Sequence, residues 1–84
     1  MRVRKRNGKD EEFVREKIVV AIVGSGGRLD LARTIAQEVE AVLSKNPTVT
    51  TEQIRTEVFS RLKSKDARAY NSWVEYDRQT KNRG

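Results

Sequence analysis

Asn7-Gly8, followed by Lys9, separates the basic run Arg4-Lys5-Arg6 from the acidic run Asp10-Glu11-Glu12. Asn-Gly favours a two-residue type I′ turn, because both central residues of that turn need positive φ. The stretch therefore reads as a short β-hairpin. A two-residue loop pairs Arg6 with Lys9, Lys5 with Asp10, Arg4 with Glu11 and Val3 with Glu12. In that register Val3 and Phe13 fall on different faces, while Lys5 and Arg4 each face an acid. Folded over helices behind it, such a ribbon would gather Lys5, Arg6 and Lys17, and clustered cations with backbone donors suit a polyphosphate.

With 84 residues the chain makes one small domain with a modest core. It has no cysteine and no histidine, which excludes disulfides, thiolate zinc sites, Cys or His nucleophiles and imidazole bases. The acids Asp10, Glu11 and Glu12 alternate faces on one strand, without a nucleophile or activated base beside them. An enzyme is not expected. Eighteen basic and twelve acidic residues give a net charge of +6, which favours nucleotides, nucleic acid or acidic protein surfaces as partners. Residues 1–19 carry seven cations and four anions, residues 20–54 three and four, and residues 55–84 eight and four. The two ends are basic and the middle is not. No apolar run approaches the roughly eighteen residues of a membrane span, and the start lacks the apolar core of a signal peptide. A cytoplasmic protein without membrane contact is the expectation.

Beyond the hairpin the chain reads as helices. From Arg15 to about Val23 the spacing places Ile18, Ala21 and Ile22 on one face, though Val19, Val20 and Val23 keep a strand open as an alternative. Gly24-Ser25-Gly26-Gly27 reads as a helix-ending loop, since it lacks the Gly-Lys-Ser/Thr of a Walker motif and the spacing of a dinucleotide fingerprint. Asp30 is expected to cap a second helix running to about Ser44, with Ala32, Ile35, Ala36, Val39, Val42 and Leu43 as its apolar stripe. Thr50 and Gln53 fit a capping box for a third helix carrying Ile54, Val58 and Leu62, with Thr51 aiming its hydroxyl at the helix start. After Ser64-Lys65-Asp66, the residues Ala69, Tyr70, Trp73, Val74 and Tyr76 form the inner face of a fourth helix. The expected architecture is mainly α: a four-helix bundle roofed by an N-terminal β-hairpin, a single domain over 1–79 with a disordered tail at 80–84.

These residues resemble a known family, the ATP-cone, a small regulatory nucleotide-binding domain found at the front of many ribonucleotide reductases and in the repressor of their genes. Lys5-Arg6-Asn7-Gly8 is close to the family's Lys-Arg-Asp-Gly, and Glu11, Phe13 and Arg15-Glu16-Lys17-Ile18 follow at the family's spacing. Val49-Thr50-Thr51-Glu52-Gln53-Ile54 and the run from Ala69-Tyr70 through Trp73 to Arg78 are similar to later family segments. The resemblance implies ATP or dATP bound between lid and helices, with a Mg2+ ion bridging the phosphates. It places Lys5, Arg6 and Lys17 at the phosphates, with Arg55, at a position that varies in the family, as a further phosphate or ribose contact. It places Glu11 and Thr51 as polar contacts near the nucleoside and Val3, Phe13, Ile18 and Ile22 as walls around the base. Val14 departs from the family pattern, standing where a small polar residue usually caps the first helix. Lacking cysteines for the repressor's zinc ribbon, the chain reads as a free-standing cone.

The leading expectation is therefore a non-catalytic nucleotide sensor that changes its own association or its grip on a partner protein such as ribonucleotide reductase. The alternative is a basic helical module for nucleic acid, weakened by the lack of a helix with a clear recognition face.

Overall fold

The computed structural model describes residues 1–82, with side chains described through residue 79. In order the elements are β1 (Arg2–Arg4), β2 (Asp10–Glu12), α1 (Arg15–Gly24), α2 (Leu29–Leu43), β3 (Thr48–Thr50), α3 (Thr51–Lys65) and α4 (Ala67–Asn82). The fold is mainly α, with a small three-stranded sheet formed from the hairpin and β3. Helix α4 continues through residues 80–82 of the expected tail, and residues 83 and 84 lie outside the described residues.

The hairpin is present, but its register differs by one residue from the sequence expectation. Arg2 faces Glu12, Val3 faces Glu11 and Arg4 faces Asp10. The cause lies in the turn. Gly8 has φ of +85° while no described residue other than glycine has positive φ, so Asn7 cannot take its part in a type I′ turn. Lys5 and Lys9 instead close a three-residue loop, with the Lys5 N–H donating to the Lys9 carbonyl at 2.9 Å and the Gly8 N–H to the Lys5 carbonyl at 3.0 Å. Asn7 contributes through its side chain, which accepts from the Lys9 N–H at 3.0 Å. The shift by one puts Val3 on the inner face, and it is buried with Phe13 packed against the same core, correcting the expectation that the two point apart.

Strand β3 was not foreseen. It runs parallel to β1, pairing Arg2, Val3 and Arg4 with Thr48, Val49 and Thr50, so β1 is the central strand in the order β2-β1-β3. Three residues with one apolar side chain are too short to display a period of two. Thr50 ends this strand and caps α3, its hydroxyl accepting from the Gln53 N–H at 3.1 Å while the Gln53 side chain accepts from the Thr50 N–H at 2.8 Å. The expected capping box is thus in place, and it fixes how the chain leaves the sheet.

Consecutive helices pack on one another around Ile22, Ile35, Val39, Val49 and Leu62, all fully buried. Helix α1 ends in the glycine loop as expected, and Gly26 there has φ of +94°. Gly27 is needed for its lack of a side chain: a Cβ there would sit 2.6 Å from Ile22 Cγ2. Asp30 lies inside the first turn of α2 rather than at its cap, which is Arg28 in an extended conformation. Val42 and Tyr76, read as inner-face residues, are exposed. On α4 the face that turns inward runs through Ala69 and Trp73 toward Asp77, one helical turn further on, and this leaves Tyr76 outside.

Candidate functional site

A cleft of about 220 Å³ opens between the hairpin and the helices. The hairpin contributes Val3 and Glu11, α1 contributes Lys17, Ile18 and Ala21, α3 contributes Thr51, Ile54, Arg55 and Val58, and α4 contributes Trp73. The corrected register builds this wall. Because Val3 faces Glu11, both turn toward the helices, and Phe13, two residues after Glu11, joins them at the cleft. The interior is apolar and the charges stand at its edges. Pockets that engulf a drug-sized ligand run to about 300–1,000 Å³, so this cleft encloses part of a larger ligand and leaves the remainder at its mouth.

Glu11 organises that mouth. Its carboxylate lies 3.1 Å from Lys5 Nζ, within the hairpin, and 3.6 Å from Lys17 Nζ, which ties the hairpin to α1. The Lys5 hydrogen bond, reinforced by the charge of Lys17, holds the Glu11 carboxyl below the usual carboxylate range. Asp10 is held low in the same way, first by its hydrogen bond from Arg4, whose Nε lies 2.8 Å away. Arg6, at the hairpin tip, donates from Nε to Glu52 Oε1 at 2.9 Å and so straps the tip to the first turn of α3. The Thr51 hydroxyl, expected to point at its own helix start, donates instead to the Arg4 carbonyl at 3.4 Å and fastens α3 to β1.

Of the residues singled out from sequence, Val3, Glu11, Phe13, Lys17, Ile18, Thr51 and Arg55 line the cleft. Lys5 stands beside it through Glu11, and Arg6 is set apart at the tip. Ile22 is fully buried in the core and does not line the cleft. Arg55 forms an ion pair with Asp77 of α4 and lies over the Phe59 ring at 5.1 Å. Glu12, Val14, Ala21, Ile54, Val58 and Trp73 line the cleft as well and were not assigned to it. The helical spacing of Ala21, Ile54, Val58 and Trp73 marks an inward face, and it carries no sign of where the core stops and a cleft begins. Val14 occupies the N-cap of α1 with no side-chain hydrogen bond, as its departure from the family pattern implies.

A second groove, about 710 Å³, lies on the far side of Phe13, among Glu12, Gln37, Glu40, Ser44 and Asn46. Among the described residues no lysine or arginine lines it, and the Met1 ammonium at its edge is paired with Glu12 at 3.9 Å. The groove therefore does not suit the anion for which the lysine pair is fitted. Among the described residues no group of three acidic side chains converges to hold a metal ion, and no helix is long and apolar enough to cross a membrane.

The sequence profile of the ATP cone domain matches residues 1–81, nearly the whole chain. The chain belongs to the ATP-cone family. ATP-cones are nucleotide-binding regulatory domains that take ATP or dATP and carry out no chemistry themselves. A search of curated proteins finds no match to this cone.

Proposed function

We propose that this cone binds ATP or dATP in the cleft under the hairpin and that occupancy controls its own assembly or its hold on a partner protein, such as a ribonucleotide reductase, in the cytoplasm. The observation that carries the reading is the pair Lys5 and Lys17 brought to one carboxylate at the mouth of an apolar cleft. A base fits the apolar interior, walled by Val3, Phe13 and Ile18 with Trp73 opposite. The phosphates then lie at the mouth, where Lys5 and Lys17 exchange Glu11 for a more highly charged partner. Arg55 and Thr51 stand further along α3 for the ribose or a phosphate, and Arg6 at the tip closes over the outer phosphates. A Mg2+ ion arrives on the nucleotide, since among the described residues no cluster of acids converges to hold it, and Glu11 is the carboxylate nearest the phosphate-binding lysines. Ile22 acts through the core, beneath Ile18, without touching the ligand.

Nucleic acid draws no comparable support. Lys5, Arg6, Lys17, Arg55 and Arg61 are each engaged by a carboxylate of the chain itself, so these cations do not form an open basic face.

Calorimetric titration with ATP, dATP and GTP in magnesium, on the native protein and on Lys17→Ala, tests the reading. An adenine nucleotide should bind, and the variant should lose it. Equal affinity in the two proteins, or no binding to either, would remove the cleft as the site. Sedimentation with and without the bound nucleotide then reads the change in assembly.

A further inference from the structure

We propose that Asp77 belongs to the nucleotide cleft as the residue that sets its affinity and relays its occupancy: Asp77 holds Arg55 when no ligand does, and an anionic group of the nucleotide takes Arg55 from it. The inference rests on the reading of the cleft as a nucleotide site and names a regulatory connection for it.

Four side chains form one connected unit across α3 and α4. Arg55 lines the cleft and pairs with Asp77, with 29% and 22% of the two side chains exposed. The Arg55 guanidinium lies over Phe59, and Phe59 meets Trp73 edge-on with ring centres 4.9 Å apart. Trp73 returns to the cleft wall. A ligand in the cleft therefore touches this unit at Arg55 and Trp73, while its outer end, Asp77, lies on the C-terminal half of α4. The first half of α4 is anchored separately. Ala69 is fully buried beneath the glycine loop, and its N–H donates to the Asp66 carboxylate at the helix cap.

Charge decides the exchange. At equal distance the attraction of a guanidinium scales with the charge of its partner, so a polyphosphate prevails over one carboxylate. Both groups are partly shielded from water, which makes the pair stronger than an exposed ion pair. Asp77 therefore opposes binding, and releasing it loosens the C-terminal half of α4 from α3. Uncharged adenosine leaves the pair intact, and ATP breaks it. The occupied cleft thus delivers a changed α4 surface to whatever the cone assembles with.

Trp73, the single tryptophan of the chain, supplies the readout. Magnesium ATP is titrated into the native protein, Asp77→Asn and Arg55→Gln while fluorescence is followed, and hydrogen exchange is measured over α4 with and without saturating ATP. Asp77→Asn should bind about three- to tenfold tighter and Arg55→Gln weaker. In the native protein the amides of residues 74–79 should exchange faster when ATP is bound. In Asp77→Asn they should exchange fast from the start. Equal or weaker binding by Asp77→Asn, or α4 exchange in the native protein that stays constant or slows, overturns the proposal. If Asp77→Asn does not fold, the exchange of the native protein decides alone. ATP binding that is lost in Lys17→Ala but indifferent to Asp77→Asn defeats this inference only. No nucleotide binding to the native protein defeats the functional reading, and this inference with it.

Discussion

Helix α2 and the hairpin are both fixed against the rest of the cone, α2 by burial with ion pairs around it and the hairpin by little burial at all. Helix α2 lays Ala32, Ile35, Ala36 and Val39 into the core with no exposed surface. The hairpin strands bury one side chain, Val3; the Arg6–Glu52 and Glu11–Lys17 ion pairs and the Thr51 hydrogen bond to Arg4 tie the hairpin to the helices, while Arg4–Asp10 and Lys5–Glu11 pair within it. Burial of apolar side chains is indifferent to pH, whereas exposed ion pairs contribute about 0–1 kcal/mol each and change partners readily. The half that adds least to stability is therefore the half able to respond to a ligand.

The sharpest way to break this contrast is to cut the core. Leu62→Ala removes a fully buried side chain and should cost about 2–5 kcal/mol, seen as a lower urea midpoint with an unchanged slope. A cost below about 1 kcal/mol would mean that the helices are not packed as described. Next in size is Lys17→Ala, at a side chain 65% exposed. Nucleotide affinity should fall at least about tenfold while stability moves by less than about 1 kcal/mol, so calorimetry and denaturation should disagree on whether this residue matters. Thr50→Ala removes the hydroxyl half of the capping box and should cost about 1 kcal/mol, with nucleotide affinity nearly unchanged. Acid has the smallest effect. Asp10 and Glu11 have folded pKa values below their unfolded ones, so their stabilising contribution is present above the ordinary carboxylate pKa of about 4. It is lost as pH falls through the depressed folded values. Amide exchange at Val3 and Glu11 should rise over that interval before α2 does, and simultaneous loss in both would erase the distinction.

The same contrast separates what could be read in the sequence from what could not. The α2 stripe at Ala32, Ile35, Ala36, Val39, Val42 and Leu43 and the Thr50–Gln53 box are local patterns, set by side chains three or four residues apart; the box stands as expected, and so does the stripe except at Val42, which is exposed. The hairpin register depended on one backbone angle at Asn7, which the Asn-Gly pair leaves open between a two-residue and a three-residue loop. Strand β3 depended on a partner 46 residues away, at Arg2, Val3 and Arg4, and local periodicity cannot report so distant a pairing. The cleft shows both behaviours. At its rim Lys17 was legible by residue type and Glu11 only through the family resemblance, and its apolar lining at Ile54, Val58 and Trp73 was indistinguishable from core.

The parallel pairing of β1 with β3 also imposes an order of events on folding. The hairpin needs no residue beyond its own strands to pair, because the two are neighbours in sequence, although alone it is only marginally stable. Its central strand finds its second partner only after Thr48–Thr50 exist, with both α1 and α2 in the intervening loop. Closing so long a loop costs entropy that is recovered only when the helices have packed. The lid is thus the first part of the cone to be synthesised and among the last to be seated, and the cleft beneath it does not exist until the chain has nearly completed its core.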